Sequence, residues 1–282
     1  MQKIEFTNTK NQKLFDAILG NNPNLNYQIL NQLLRKKDIR VNGQKILQNS
    51  FVQNGDRVTF FLPDKKQKVL DIAYEDEQLI VVFKPQGLET TKADKTFLQT
   101  DCVEDIFESA FACHRLDKNT EGLLVLAKNK QARDIMFECF KNHNVQKFYK
   151  AICYGNIKEQ ETFVDYHKKQ NNKVYIFSEQ QKETSKAITS YIKEKQNENF
   201  CLLDINIKTG KTHQIRAQLA HHKIYVLGDE RYGNKQINKQ FCTNKQQLCA
   251  YKLVFTNMPK QLAYLNQKHI TTEPTFLKKY GF

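Results

Sequence analysis

The sequence predicts an α+β fold: a large mixed, mainly antiparallel sheet domain preceded by a small N-terminal α/β domain. Three observations carry this. Apolar, strand-like runs recur from residue 69 onward, with few short hairpin turns and no βαβ repeat. Before residue 69 the pattern differs, with one amphipathic helix followed by two glycine turns. The chain has 282 residues, 40% of them apolar, enough to bury one large core and one small one.

Asn26 to Lys37 reads as a short helix with Leu30, Leu33 and Leu34 on one face, capped by Asn26 or Asn24. Asn42-Gly43 between alternating apolar residues signals a hairpin turn. Asn54-Gly55-Asp56 is a second turn and leads into a strand over Val58 to Leu62. Residues 63–68 are polar and charged, a linker, which puts the domains at 1–68 and 69–282.

In the second domain strands are expected over Leu79 to Phe83, Leu123 to Ala127, Phe148 to Ile152 and Leu202 to Ile207. Lys130 to Lys141 reads as a helix, with Ile135 and Cys139, and Met136 and Phe140, each spaced by four. Thr212 is placed to cap a further helix through Ile215 and Leu219, with Arg216 one turn in.

The formal net charge is +14, from 44 Lys and Arg against 30 Asp and Glu. Residues 1–70 carry 12 basic and 5 acidic groups, residues 71–200 carry 19 and 21, and residues 201–282 carry 13 and 4. The excess sits at the two ends of the chain, and a fold that gathers it on one face would attract a polyanion such as nucleic acid. Arg35, Lys36, Lys37, Arg40 and Lys45 cluster at the helix end and the hairpin, where they can meet phosphates. The plain alternative is lysine as solubilising decoration.

There is no run of 18 apolar residues, and Met1 to Lys13 lacks the apolar centre of a signal peptide, so no membrane association is expected. The seven cysteines form no Cys-x-x-Cys pair, which suggests neither a zinc site nor a disulfide framework. A reducing cytoplasm is the simplest setting, with no metal or organic cofactor.

The run His114-Arg115-Leu116-Asp117-Lys118-Asn119-Thr120-Glu121-Gly122-Leu123-Leu124 places one aspartate in a short turn before an apolar strand. A loop carboxylate held at the start of a buried strand suits a single catalytic group. Three other segments stand out: Val81 to Leu88, with Lys84-Pro85-Gln86-Gly87; Lys147-Phe148-Tyr149-Lys150-Ala151; and Thr209-Gly210-Lys211-Thr212-His213-Gln214-Ile215-Arg216, running on to Leu227-Gly228-Asp229. Leu248 to Phe255 is a weaker fifth.

In this order the segments resemble the RluA-type pseudouridine synthases, which isomerise uridine in RNA. Leu34 to Lys37, Ile39 to Gly43 and Gly55-Asp56 resemble the S4-type RNA-binding domain. The resemblance implies the pseudouridine synthase fold, Asp117 as the catalytic aspartate, Arg216 as its ion-pair partner and Tyr149 stacked on the uracil. It implies that Arg115 helps to hold a flipped-out nucleotide. It further implies structured RNA as substrate, ribosomal before transfer RNA, and a monomer. His114 and His213 are expected to be hydrogen-bonding residues rather than acid–base groups. Glu121 stands where RluA-type sequences usually carry Ser or Thr, and is more typical of a sister branch.

Rival readings fare worse. Gly210-Lys211-Thr212 ends like a phosphate-binding loop, but Ile205 stands where that loop needs glycine. A methyltransferase needs a glycine-rich cofactor loop, and the chain's 10 glycines form none. An RNA-binding or ribosome-assembly factor on an inactive synthase scaffold would favour loss of Asp117, Tyr149 or Arg216, and all three are present.

Overall fold

The strand Glu121–Ala127 is buried along its whole length, which is why its sequence shows no polar alternation. Leu124 and Leu126 enter one core, while Leu123, Val125 and Ala127 enter another on the opposite face. The computed structural model describes residues 1–282 except 24, 63–68, 92–101, 108 and 172, and except the Gln28 side chain. The linker read at 63–68 and the alternative cap Asn24 lie outside the described residues. The chain forms two compact units, the first running up to residue 62 and the second opening at Val69.

The large unit is one sheet. In spatial order its strands are Lys173–Phe177, Gln160–Gln170, Ser185–Gln196, Cys201–Ile207, Val145–Gly155, Leu248–Phe255, Glu121–Ala127, Leu79–Lys84 and Ile72–Glu75. Short strands at Ile224–Val226, His269–Thr271 and Phe111–Ala112 pair onto it. Neighbours are antiparallel except Glu121–Ala127 beside Leu248–Phe255, which run parallel. At that parallel seam Gly122 has φ +119°, and a Cβ there would lie 2.3 Å from the Ala250 carbonyl oxygen. Only glycine fits.

Helix Lys130–Lys141 spans the residues its periodicity predicts. Asn129 caps it by accepting from the Ala132 amide at 2.8 Å, and Ala132, Met136 and Cys139 enter one core. Ile215 and Leu219 of helix Gln214–His221 enter the core on the other face, which Tyr149 shares. The mixed, mainly antiparallel α+β architecture expected from the sequence is the one observed.

In the N-terminal unit four antiparallel strands lie in the order Gln2–Thr7, Arg57–Leu62, Ile39–Val41, Gln44–Lys45. Helices Leu14–Asn21 and Tyr27–Arg35 bury Phe15, Ile18, Leu30 and Leu33 with Val58 and Phe60. Asn26 is the cap, accepting from the Ile29 amide at 3.0 Å. The Asn42-Gly43 turn has φ of +50° and +82°, the left-handed pair a tight hairpin requires. The opening strand and the first helix go beyond what the sequence pattern predicts. No helix among the described residues is long and apolar enough to cross a membrane. All seven cysteines are free thiols, six of them buried.

Candidate active site

Asp117 sits on a loop fixed at alternate positions. His114 Nε2 accepts from the Val125 amide at 3.1 Å. The Leu116 amide and carbonyl both bond the buried Thr90 hydroxyl at 3.2 Å. The Lys118 carbonyl accepts from the Gly87 amide at 2.8 Å, and Thr120 Oγ1 accepts from Gln246 at 2.8 Å. Gln246 in turn accepts through its carbonyl from the Gln86 side-chain amide. With the even-numbered residues engaged, the Asp117 side chain is free to face the other way.

Lys84 anchors the same loop. Its ammonium is fully buried and donates to the carbonyls of Pro85, Leu88 and Lys118 at 3.0, 2.9 and 3.1 Å. Three acceptors match its three protons. Burial lowers its pKa to about 8, opposed by the charges of Glu89, Asp117 and Glu121. Burial raises the Glu121 carboxyl, which accepts from the Thr275 amide and hydroxyl, each at 2.8 Å.

Arg216 comes from the third position of helix Gln214–His221. Its Nη1 donates to Asp117 Oδ2 at 2.8 Å. Nε and Nη2 donate to Asp229 at 2.6 and 3.0 Å. Burial disfavours charge on both Arg216 and Asp229, yet their pairing outweighs it, raising the guanidinium and lowering the Asp229 carboxyl. Asp229 Oδ1 also accepts from the Arg231 and Tyr232 amides at 2.9 and 3.0 Å. The Tyr232 ring faces the guanidinium at 5.2 Å.

The helix bearing Arg216 is held through polar residues. Gln214 donates to the Ile188 carbonyl and Thr189 Oγ1, and accepts from Thr209 Oγ1 and the Lys211 amide. Gln218 donates to Asp165 Oδ2 at 2.7 Å, and His222 Nε2 bonds the same oxygen at 2.9 Å. Residues 214, 218 and 222 recur at four-residue spacing, so one polar edge sets the rotation of the helix.

Asp117, Arg216 and Tyr149 line one cavity of about 530 Å³, with Arg115, Lys147 and Lys211 also on its wall. Tyr149 is 6% exposed, and burial raises its phenol well above the ordinary value, so it is neutral. His114 packs against Phe140 at 4.5 Å, and burial, with the nearby Lys147 charge, lowers its pKa to about 3.

A model of the RNA pseudouridylate synthase family matches residues 78–221. The chain belongs to this family. Ribosomal large subunit pseudouridine synthase C of Rickettsia felis is 30% identical over 266 residues, 83% of this chain and 86% of that one. The tRNA pseudouridine synthase C of Vibrio cholerae is 31% identical over 209 residues, 66% of this chain and 85% of that one. Human RNA Pseudouridylate Synthase Domain Containing 1 shares the fold, with a TM-score of 0.61 and 22% identity over 77% of this chain and 89% of that one. The enzyme isomerises uridine in RNA.

The synthase brings Asp117, Tyr149 and Arg216 together from sequence separations of 32 to 99 residues. Arg115 is exposed on the cavity wall. Thr212 does not cap the Arg216 helix as expected. His213 holds the cap position at φ +53°, without a side-chain cap bond, while the Thr212 carbonyl bonds His167 at 2.9 Å. His213 Nδ1 bonds the Tyr232 hydroxyl at 2.9 Å, and its Nε2 is 4.0 Å from Asp117.

In the N-terminal unit Arg35, Lys36 and Lys37 are exposed at the end of helix Tyr27–Arg35. Arg40 pairs with Lys45 across the hairpin, its guanidinium 5.3 Å from the Phe61 ring centre. Sequence reasoning assigns no role to Lys84, Asp229, Gln214 or Gln218. Asp229 has a signal, its place in the Leu227-Gly228-Asp229 extension, but its partner is visible only in three dimensions.

Proposed function

We propose that Asp117 carries the isomerisation, that Arg216 pairs with it and holds it aimed, and that Tyr149 supports the flipped uracil. The observation that carries this reading is the 2.8 Å Arg216–Asp117 ion pair in a cavity walled by Tyr149. The reaction breaks the C1′–N1 bond, turns the uracil and joins C5 to C1′, with the C5 proton passing to solvent and N1 taking up a proton in exchange. Glycosidases typically use two carboxylates. Here the base never leaves the cavity, and one carboxylate suffices. Arg216 occupies Oδ2, and Oδ1 has no partner among the described residues. That oxygen is the one available to attack C1′ or to take the C2′ proton.

A uridine within a stack must flip out to reach Asp117. Exposed Arg115, two residues away on the same loop, is suited to hold the strand that it leaves. The N-terminal unit, read as an S4-type module, supplies Arg35, Lys36, Lys37, Arg40 and Lys45 as phosphate contacts. The preferred substrate is large-subunit ribosomal RNA, with transfer RNA second, because the S4-type module accompanies ribosomal members of the family. The working form is a cytoplasmic monomer that needs no metal or organic cofactor.

The test is a pseudouridine map of RNA from cells lacking the protein, carrying wild type, or carrying Asp117→Ala. Uridines modified only with wild type name the substrate and support Asp117 together. Modification that persists with Asp117→Ala removes Asp117 from the chemistry.

A further inference from the structure

Lys147 precedes Tyr149 by two residues on strand Val145–Gly155, and both face the cavity that holds Asp117. Two strand residues on one face are about 7 Å apart, so Lys147 lies roughly one side chain beyond the uracil platform. Its surroundings differ from those of the other cations near the Asp117 loop. Arg216 is shared between two carboxylates. Lys84 is saturated by three carbonyls. The Lys147 ammonium has no hydrogen-bond acceptor among the described residues, and the Phe140 ring lies 5.7 Å from it. Burial lowers its pKa, and no acidic neighbour offsets that.

A half-buried cation without an anion is costly, and the cost is relieved when a ligand supplies the missing charge. Space for one exists. Lys147 and Gly210 both line the cavity of about 530 Å³ that holds Asp117. Asp117 is the sole carboxylate on the cavity wall among the described residues, while Arg115, Lys141, Lys211 and Arg216 share the sign of Lys147. Uracil is neutral and cannot balance that excess. A phosphate can.

We propose that Lys147 binds a phosphate of the RNA strand beside the flipped uridine. This rests on the reading of the Asp117 cavity as the isomerisation site. The contact makes Lys147 a substrate-binding residue rather than a group in the bond-breaking step.

The experiment uses full-length wild type, Lys147→Met and Lys147→Arg. The substrates are unmodified transcripts of bacterial 23S ribosomal RNA and of transfer RNA carrying [5-³H]uridine. Tritium release gives kcat and KM, and filter binding of the same transcripts gives the salt dependence. Lys147→Met should raise KM about ten- to a hundredfold, as loss of a charged hydrogen bond predicts, and change kcat much less. The slope of log affinity against log salt should fall by about 0.7. Lys147→Arg should restore both. An unchanged KM and slope overturns the proposal. A fall in kcat with the slope intact places Lys147 on the neutral base and also overturns it. Equal loss of melting temperature in both variants makes Lys147 structural. If wild type releases no tritium from either RNA, the substrate reading fails, and the binding slope still decides the case of Lys147.

Discussion

Asp229 grips Arg216 by both carboxylate oxygens, at 2.6 Å to Nε and 3.0 Å to Nη2, and leaves Nη1 to reach Asp117 at 2.8 Å. The aim of Arg216 is thus set by a residue that does not line the cavity. Asp229→Asn should keep the bonds from the Arg231 and Tyr232 amides but weaken the fork. Stability should fall by about 3 kcal/mol, the low end for a broken buried pair, since Asp117 still faces the guanidinium. Tritium release should slow about a hundredfold, the effect of misplacing a reacting group by about 1 Å. A variant of wild-type rate would remove the positioning role.

The same pair predicts an acid limb. Burial pushes the Asp229 carboxyl up, but the Arg216 bonds outweigh it and hold it below the usual range. A carboxyl depressed in the folded state contributes stability above its unfolded value, about 3.9, and loses it as pH falls through the folded value. Denaturant unfolding at pH 7, 4 and 3 should show the gap between wild type and Asp229→Asn shrinking toward acid. A gap constant with pH would mean that the charge on Asp229 contributes nothing.

Gln214 uses its whole side-chain amide: two donations to strand Ser185–Gln196 and two acceptances from the Thr209–Lys211 turn. Gln214→Leu keeps the bulk and strands those partners. A loss of about 2–3 kcal/mol is expected from buried groups left unpaired. The rate should also drop at temperatures where the variant is fully folded, because the helix that carries Arg216 loses its rotational anchor. Thermal melts beside single-turnover tritium release separate the two effects.

The legible part of the molecule follows from where apolar residues run together. Leu79 to Phe83, Leu123 to Ala127 and Lys130 to Lys141 announce themselves because their burial needs no polar help. Asp117, Tyr149 and Arg216 stand out through local motifs, and the fold supplies their proximity. What stays hidden is polar and buried. Gln214 and Gln218 look like a solvated helix edge until strand carbonyls and Asp165 appear opposite them. Lys84 looks like a surface charge at a proline turn, and three carbonyls from two loops make it an anchor. Strand Gln2–Thr7 is inconspicuous in the sequence because four of its six residues are polar, although Ile4 and Phe6 pack against the small core.

Tyr149 belongs to the core cluster and to the cavity wall at once. Its hydroxyl has no hydrogen-bond partner among the described residues, and its raised pKa denies it a role as a base near neutrality. On the proposed reading the ring is therefore the working part. Tyr149→Phe should melt within about 1 kcal/mol of wild type and keep its rate within about tenfold, since the aromatic face is retained. Tyr149→Ala should cost about 3–5 kcal/mol through the cavity it leaves, and should lose far more activity than Tyr149→Phe. Collapse of the fold on the phenylalanine change would make Tyr149 a core residue only.

Arg35, Lys36 and Lys37 end a helix whose C-terminal carbonyls already favour positive charge, so their presence alone does not separate helix capping from RNA binding. Salt dependence does. Replacing all three with Gln should cost little stability, because exposed charges at a helix end are worth about 0.3–1 kcal/mol each. If they meet phosphates, the slope of log affinity against log salt should fall by about 0.7–0.9 for each phosphate no longer neutralised. The rate at saturating RNA should hold, since none of the three lines the Asp117 cavity. A preserved slope with a lowered melting temperature would reduce the cluster to helix stabilisation. It would also remove the strongest physical reason for reading the N-terminal unit as an RNA-binding module.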